Sequence, residues 1–208
     1  RQGSKLGMSR AGKRMEGFNA RMKGTKGSAD EGGVRVPFFV RWPGKFPANQ
    51  AVERISAHID LLPTLADIVG IDQLPKGQVE GRSLLPLIKN PQAKWKDRYL
   101  FTQGARWKTG SEPTDHMWKR FAVRNERFRL VENKLYDMKK DPSQLLDIAD
   151  KNPKVVQSMR LAYEKFWKET RPLMVNEEVP MSPTQPYHVL HAKQLENGGI
   201  SDWNAPQL

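Results

Sequence analysis

Residues 26–37 (Lys-Gly-Ser-Ala-Asp-Glu-Gly-Gly-Val-Arg-Val-Pro) bring two cations, two carboxylates and three glycines together. Lys26 enters a glycine-punctuated turn, and the turn leads into an apolar run that stops at Pro43-Gly44. An ammonium fixed by such a turn can lie against a bound anion and neutralise the charge that builds on a leaving group. The lysine alone does not separate sulfate from phosphate. Gly24-Thr25-Lys26-Gly27-Ser28 is not a P-loop, which needs Gly-Lys-Ser/Thr after an earlier glycine and directly after a strand. Gly32 and Gly33 permit a left-handed or closely approached backbone, and Arg35 is placed to pair with a carboxylate such as Glu31.

Other reactive side chains are more scattered. Arg106 and His116, near Trp107 and Trp118, fall in a polar, turn-rich stretch (104–117) of the kind that contacts substrate. Of the four histidines, only His188 and His191 are neighbours, at a spacing more usual for packing than for ligation. Asp60, Asp137 and Asp141 are spaced as caps and turns, and residues 1–25 contain no aspartate. The sequence holds no cysteine, which excludes disulfides, thiolate metal sites and a cysteine nucleophile within it.

The elements that must position these groups follow from periodicity and turn chemistry. Residues 1–25 show no sustained apolar period and read as irregular or short helical structure. Residues 34–42 read as a buried strand, rich in β-branched and aromatic types, with Pro37 at its start or edge. Residues 60–70 predict a helix capped by Asp60 and ended by Gly70, with Leu61, Leu62, Leu65, Ile68 and Val69 as its apolar face. A short apolar turn follows at 83–88. A strand is expected at 98–103, then a meander at 120–124, 128–132 and 134–138. Asn152-Pro153 opens the longest helix, whose face Val155, Val156, Met159, Ala162, Tyr163, Phe166 and Trp167 should pack on that sheet until Pro172 stops it. The tail carries one short helix near 188–195.

These elements read as α+β. The 208 residues allow one domain or two small ones, and no run approaches the length that crosses a membrane. The net charge of +12 is uneven: residues 1–30 hold eight basic residues against Glu16 and Asp30. Such a segment attracts polyanions, whether nucleic acid, anionic glycan or lipid surface, or is simply a solvated loop. No groove-reading motif or aromatic–basic interleaving supports specific nucleic-acid binding.

The segment 26–44, with its lysine, Glu-Gly-Gly-x-Arg-x-Pro and Trp-Pro-Gly in this order, resembles the middle of a sulfatase of the arylsulfatase type, in the alkaline-phosphatase-like superfamily. The resemblance spans residues 18–171, strongest at 26–44 and fainter at 58–70, 81–87 and 135–142. It implies an α/β parent fold, with 1–97 as the end of the large domain, 98–172 as a small antiparallel-sheet subdomain and 173–208 as an extended tail. It implies that Lys26 contacts the sulfate group and that the substrate is a sulfated small molecule or glycan. Arg106 and His116 become candidate substrate contacts.

Sulfatases use a formylglycine made within Cys/Ser-x-Pro-x-Arg, and a divalent cation of the calcium type held by aspartates. Ser111-Glu112-Pro113-Thr114-Asp115 mimics the first three positions but has Asp115 where arginine is required, on the wrong side of Lys26. The chain is therefore expected to be a C-terminal portion, inactive alone, with no metal ligands of its own. Its partner would be the N-terminal half, which could be a separate chain. A periplasmic or secreted location is what the resemblance suggests. Two other readings stay open: a phosphoester or phosphonate hydrolase of the same superfamily, and a basic anion-binding module.

Overall fold

The computed structural model describes residues 4–10, 13–75, 77, 79–104, 111–173, 184 and 186–199. They divide into two units, Arg1–Lys168 and Glu169–Leu208.

The centre of the first unit is a four-stranded antiparallel sheet in the order β3-β4-β5-β6. Its strands are β3 (Leu100–Gln103), β4 (Phe121–Arg124), β5 (Phe128–Val131) and β6 (Lys134–Asp137). Tight turns set the register. The Asn125 side chain accepts from the amides of Arg127 (3.0 Å) and Phe128 (2.6 Å), and left-handed Glu132 (φ 52°) turns β5 into β6.

Alternation then sorts the side chains onto two faces. Phe101 pairs with Val123, Val123 with Leu130, and Leu130 with Leu135, so these share the apolar face. Arg124 pairs with Arg129, and Arg129 with Tyr136, on the opposite face.

The apolar face is covered by α4 (Pro153–Thr170). Val155 and Val156 amides bond to the Asn152 carbonyl, as the cap reading requires, and Met159, Tyr163 and Trp167 are buried at a spacing of one turn. Tyr163 stacks on Phe121 at 4.3 Å between ring centres, and Phe166 on Phe101 at 4.4 Å. Each such ring withdrawn from water contributes roughly 1.5–3 kcal/mol. Burial also pushes the Tyr163 phenol up, so its hydroxyl stays protonated, with its one hydrogen shared between Gln103 Oε1 and the Met117 carbonyl (2.7 Å). The expected meander and its covering helix are thus both present.

Ahead of the sheet lie α1 (Glu31–Val34), α2 (Leu61–Ile68) and α3 (Leu85–Lys89), with a 3-10 turn at His58–Asp60. Gly70 (φ 75°) ends α2 in the left-handed cap the sequence predicts. Asp60 makes no side-chain cap bond to α2, contrary to the cap reading, and is instead fully buried. It accepts from the amides of Ala57 (2.8 Å) and Arg82 (2.9 Å) and takes both ends of the Arg98 guanidinium. Gly81 passes so close to this turn that a Cβ would stand 1.9 Å from the Ile59 carbonyl oxygen.

Three expectations are corrected. Residues 4–17 form a hairpin, β1 (Ser4–Arg10) paired antiparallel with β2 (Lys13–Gly17), rather than irregular or helical structure. Leu6, Met8 and Met15 are too sparse an alternation to announce it. Residues 35–42 are neither a strand nor buried: Val36 is 75% and Phe39 91% exposed. Their composition records suitability for burial, while a ladder also needs a neighbouring strand, and no described strand pairs with them. The apolar face of α2 is likewise largely open, with Leu65 60% exposed, while Pro63, Thr64 and Ala66 make the buried contact.

The second unit contains a 3-10 turn at Arg171–Leu173 and α5 (Pro186–Glu196), where a helix is expected, with Tyr187 stacked 6.1 Å from His191. Among the described residues no helix is long and apolar enough to cross a membrane.

Candidate functional site

Lys26 occupies a tight turn in which the Ser28 amide bonds to the Thr25 carbonyl (2.9 Å) and Gly27 takes φ 89°. A positive φ at the third turn residue is the type II arrangement, which glycine adopts without strain. The turn is compact because glycines let the backbone fold on itself. A Cβ on Gly33 would lie 2.2 Å from the Ser28 carbonyl, and one on Gly32 2.7 Å from that of Gly24. Close approach, not a left-handed backbone, is what the Glu-Gly-Gly motif requires here.

The polar face of the sheet receives this turn. Arg129 donates from Nη2 to Glu31 Oε2 (2.6 Å) and from Nη1 to the Ala29 carbonyl (2.9 Å). Arg124 stands 3.9 Å from the same carboxylate oxygen. Gln144, also buried, accepts from the Glu31 amide (2.8 Å) and donates to Asp30 (3.2 Å). Burial pushes the Arg129 and Arg124 guanidinium pKa values down, and Glu31 only partly restores them. Two guanidiniums thus face one carboxylate, and Arg124 Nη1 and Arg129 Nε are buried with no hydrogen-bond partner among the described residues. The expected Arg35–Glu31 pair exists at 3.8 Å, but Arg35 is exposed and is the weaker partner.

Two further side chains complete the frame. Lys23 donates to the Tyr136 hydroxyl (2.7 Å), lies over that ring, and pairs with Asp30 (3.7 Å). Burial alone would lower its pKa, but the bond to Tyr136 and the Asp30 charge reverse this, and Lys23 titrates above its ordinary 10.5. Arg120 donates to the Gly27 carbonyl (2.8 Å), while its own amide bonds to Glu132 (2.8 Å) and its carbonyl accepts from Gly104 (2.9 Å). Arg120 holds a left-handed φ of 54°, so strain is concentrated where the lysine turn meets the sheet.

Between the lysine turn and the β5–β6 hairpin lies an open cleft of about 600 Å³, bordered by Lys26, Arg120 and Lys134 among others. Lys26 is exposed at its rim, and no ion pair holds its ammonium among the described residues. His116 belongs to the 3-10 turn Pro113–His116 and does not border this cleft. Arg106 lies outside the described residues. In the same turn Glu112 accepts from the Thr114 amide (3.3 Å), so the Ser-x-Pro mimic is an ordinary capped turn.

Sequence reasoning missed Lys23, Arg120, Arg129, Tyr136 and Gln144. The available signal was a pair of arginines, 124 and 129, inside strands flanked by apolar residues.

Residues 26–169 match the family model described as N-sulphoglucosamine sulphohydrolase, C-terminal. Steryl-sulfatase of Mus musculus is 34% identical over 116 residues, 53% of this chain and 18% of that protein. Arylsulfatase A of Homo sapiens is 30% identical over 165 residues, 65% of this chain and 31% of that one. The chain therefore spans less than a third of the length of these relatives. A solved structure from work on glycosaminoglycan metabolism by Bacteroides thetaiotaomicron superposes with a TM-score of 0.56 at 22% identity, over 71% of this chain and 32% of that one. That likeness concerns the fold.

Proposed function

The chain belongs to the sulfatase family, and on that premise we propose that it is the C-terminal portion of an enzyme hydrolysing sulfate esters, with Lys26 as its cation on the sulfate. One observation carries this reading. Lys26 projects from a turn anchored by Arg129, Gln144 and Arg120, yet no ion pair engages it among the described residues, while Lys23 beside it is tied to Asp30 and Tyr136.

In this role the Lys26 ammonium donates to sulfate oxygens and offsets the charge that grows toward the leaving oxygen. Its anchors keep it in place before the substrate arrives, so little reorganisation accompanies the reaction. From the stretch 104–117 Arg106 and His116 are assigned as further substrate contacts, with His116 standing outside the border of the Lys26 cleft. The substrate is a sulfated small molecule or glycan.

Sulfatases use a divalent metal, which we assign as calcium, an ion that prefers carboxylate oxygens. The donor set of the described residues does not fit one. Among the described residues no group of three or more His, Asp or Glu could hold a metal ion. Asp30, Asp60 and Asp137 are each engaged by Lys23, Arg98 and Arg127. The metal ligands and the nucleophile are assigned to an N-terminal portion, in the same polypeptide or a separate chain, and no step here passes through the metal.

The test is hydrolysis of 4-nitrophenyl sulfate by the enzyme assembled with its N-terminal portion. Lys26→Ala should lower kcat/KM by roughly 100- to 1,000-fold, and residues 1–208 alone should give no turnover. Turnover by the isolated chain, or an unaffected Lys26→Ala enzyme, would overturn the proposal.

A further inference from the structure

The cleft beside Lys26 holds a second lysine with no role so far. Lys134, the first residue of β6, is exposed and borders the cleft from the hairpin side. Like Lys26, it has no ion pair among the described residues. Of the acids bordering it, Asp30 pairs with Lys23 (3.7 Å) and Glu132 accepts the Arg120 backbone amide (2.8 Å) while keeping its charge, so Lys23, Lys26, Arg120 and Lys134 outnumber these two carboxylates.

Two ammonium groups bordering one concave surface concentrate positive potential there. A volume of about 600 Å³ lies within the range of small-ligand pockets and leaves room for more than a single sulfate group. The walls offer little to an apolar ligand. Among the described residues, Ala29 and Val131 are the only aliphatic side chains bordering the cleft, and the Tyr136 ring is buried beneath Lys23.

We propose that Lys134 is a second anion contact, and that the cleft takes a hydrophilic sugar carrying two sulfate groups, one on Lys26 and one on Lys134. An aryl or sterol sulfate would leave Lys134 unmatched and its own apolar body without a surface to cover. This assignment rests on the sulfatase reading only for the role of Lys26.

The experiment is a ¹⁵N NMR titration of the 208-residue chain with glucosamine N,6-disulfate, N-acetylglucosamine 6-sulfate and 4-nitrophenyl sulfate. The disulfate should bind about tenfold more tightly than either monosulfate, since a charge-assisted hydrogen bond contributes on that scale. The amides of Gly27, Ser28 and Lys134 should report it. Lys134→Ala should bring the sugars within about twofold of each other, and Lys134→Arg should keep the gap. Equal affinities in the wild type, a gap that survives Lys134→Ala, or tighter binding of 4-nitrophenyl sulfate would overturn the proposal. An affinity gap without hydrolysis by the assembled enzyme would remove the reaction and leave the cleft assignment standing. Hydrolysis without the gap would do the reverse.

Discussion

Glu31 and Asp60 are both buried carboxylates gripped by a guanidinium, yet they secure different things. Asp60 meets Arg98 and two backbone amides, all within 38 residues of it, and closes a local knot between α2 and the strand that follows. Glu31 meets Arg129 across 98 residues of sequence and brings the lysine turn onto the sheet. The first pair sets one guanidinium against one carboxylate, although Arg98 Nε is buried without a hydrogen-bond partner among the described residues. In the second, Arg124 and Arg129 share the Glu31 carboxylate, with Asp97 and Glu126 acting on Arg124 and Asp30 on Arg129 from further away. A buried ion pair can therefore close a local turn, or fasten a distant turn that carries a candidate reactive group to the sheet.

The largest effect should come from Asp60→Ala, which strands the buried Arg98 and should cost about 3–5 kcal/mol by urea denaturation. The pH dependence has a definite sign. Burial raises the Asp60 pKa, but the Arg98, Arg82 and Ala57 hydrogen bonds outweigh it, and the net value falls below the ordinary 3.8. The unfolded carboxyl thus takes up its proton first as pH falls. Its stabilisation is whole above about pH 4 and drains as pH falls through the folded pKa. Asp60→Ala should flatten that acid limb.

Glu31→Gln should cost less, about 2–3 kcal/mol, because glutamine still accepts one bond from Arg129. Unlike Asp60→Ala, it should also shift the amides of residues 26–28. Comparable disturbance of those amides by Asp60→Ala would erase the distinction between the two pairs.

Arg120→Ala should have the smallest effect on stability, under about 1 kcal/mol, since its bond to Gly27 is exposed and alanine at 120 would carry the same Cβ in the left-handed conformation as arginine does. It should nevertheless weaken sulfate binding at the turn several-fold, as measured by titration. A stability loss larger than that of Glu31→Gln would mean that Arg120 supports the fold rather than the turn.

The meander and α4 were legible because their signals are local: Asn125 and Asn133 at the turns, Asn152-Pro153 at the cap, and aromatic residues one helical turn apart. The lysine turn was legible through its glycines, whose missing Cβ atoms are needed for close backbone approach. The segment 35–42 misled because hydrophobic composition encodes burial but not a pairing partner. The Glu31–Arg129 latch was hidden because sequence spacing does not show which distant strand face an element meets. Arg124 and Arg129, set beside apolar residues in β4 and β5, were the trace of it.

The most direct measurement is a titration of the chain with inorganic sulfate, followed at the Gly27 and Ser28 amides in the wild type and in Lys26→Ala. Saturable shifts in the wild type that vanish in Lys26→Ala, with the β3–β6 amides unmoved, are the expected result. Shifts that persist without Lys26, or a wild-type turn that ignores sulfate, would contradict the assignment of this turn as the sulfate-binding arm.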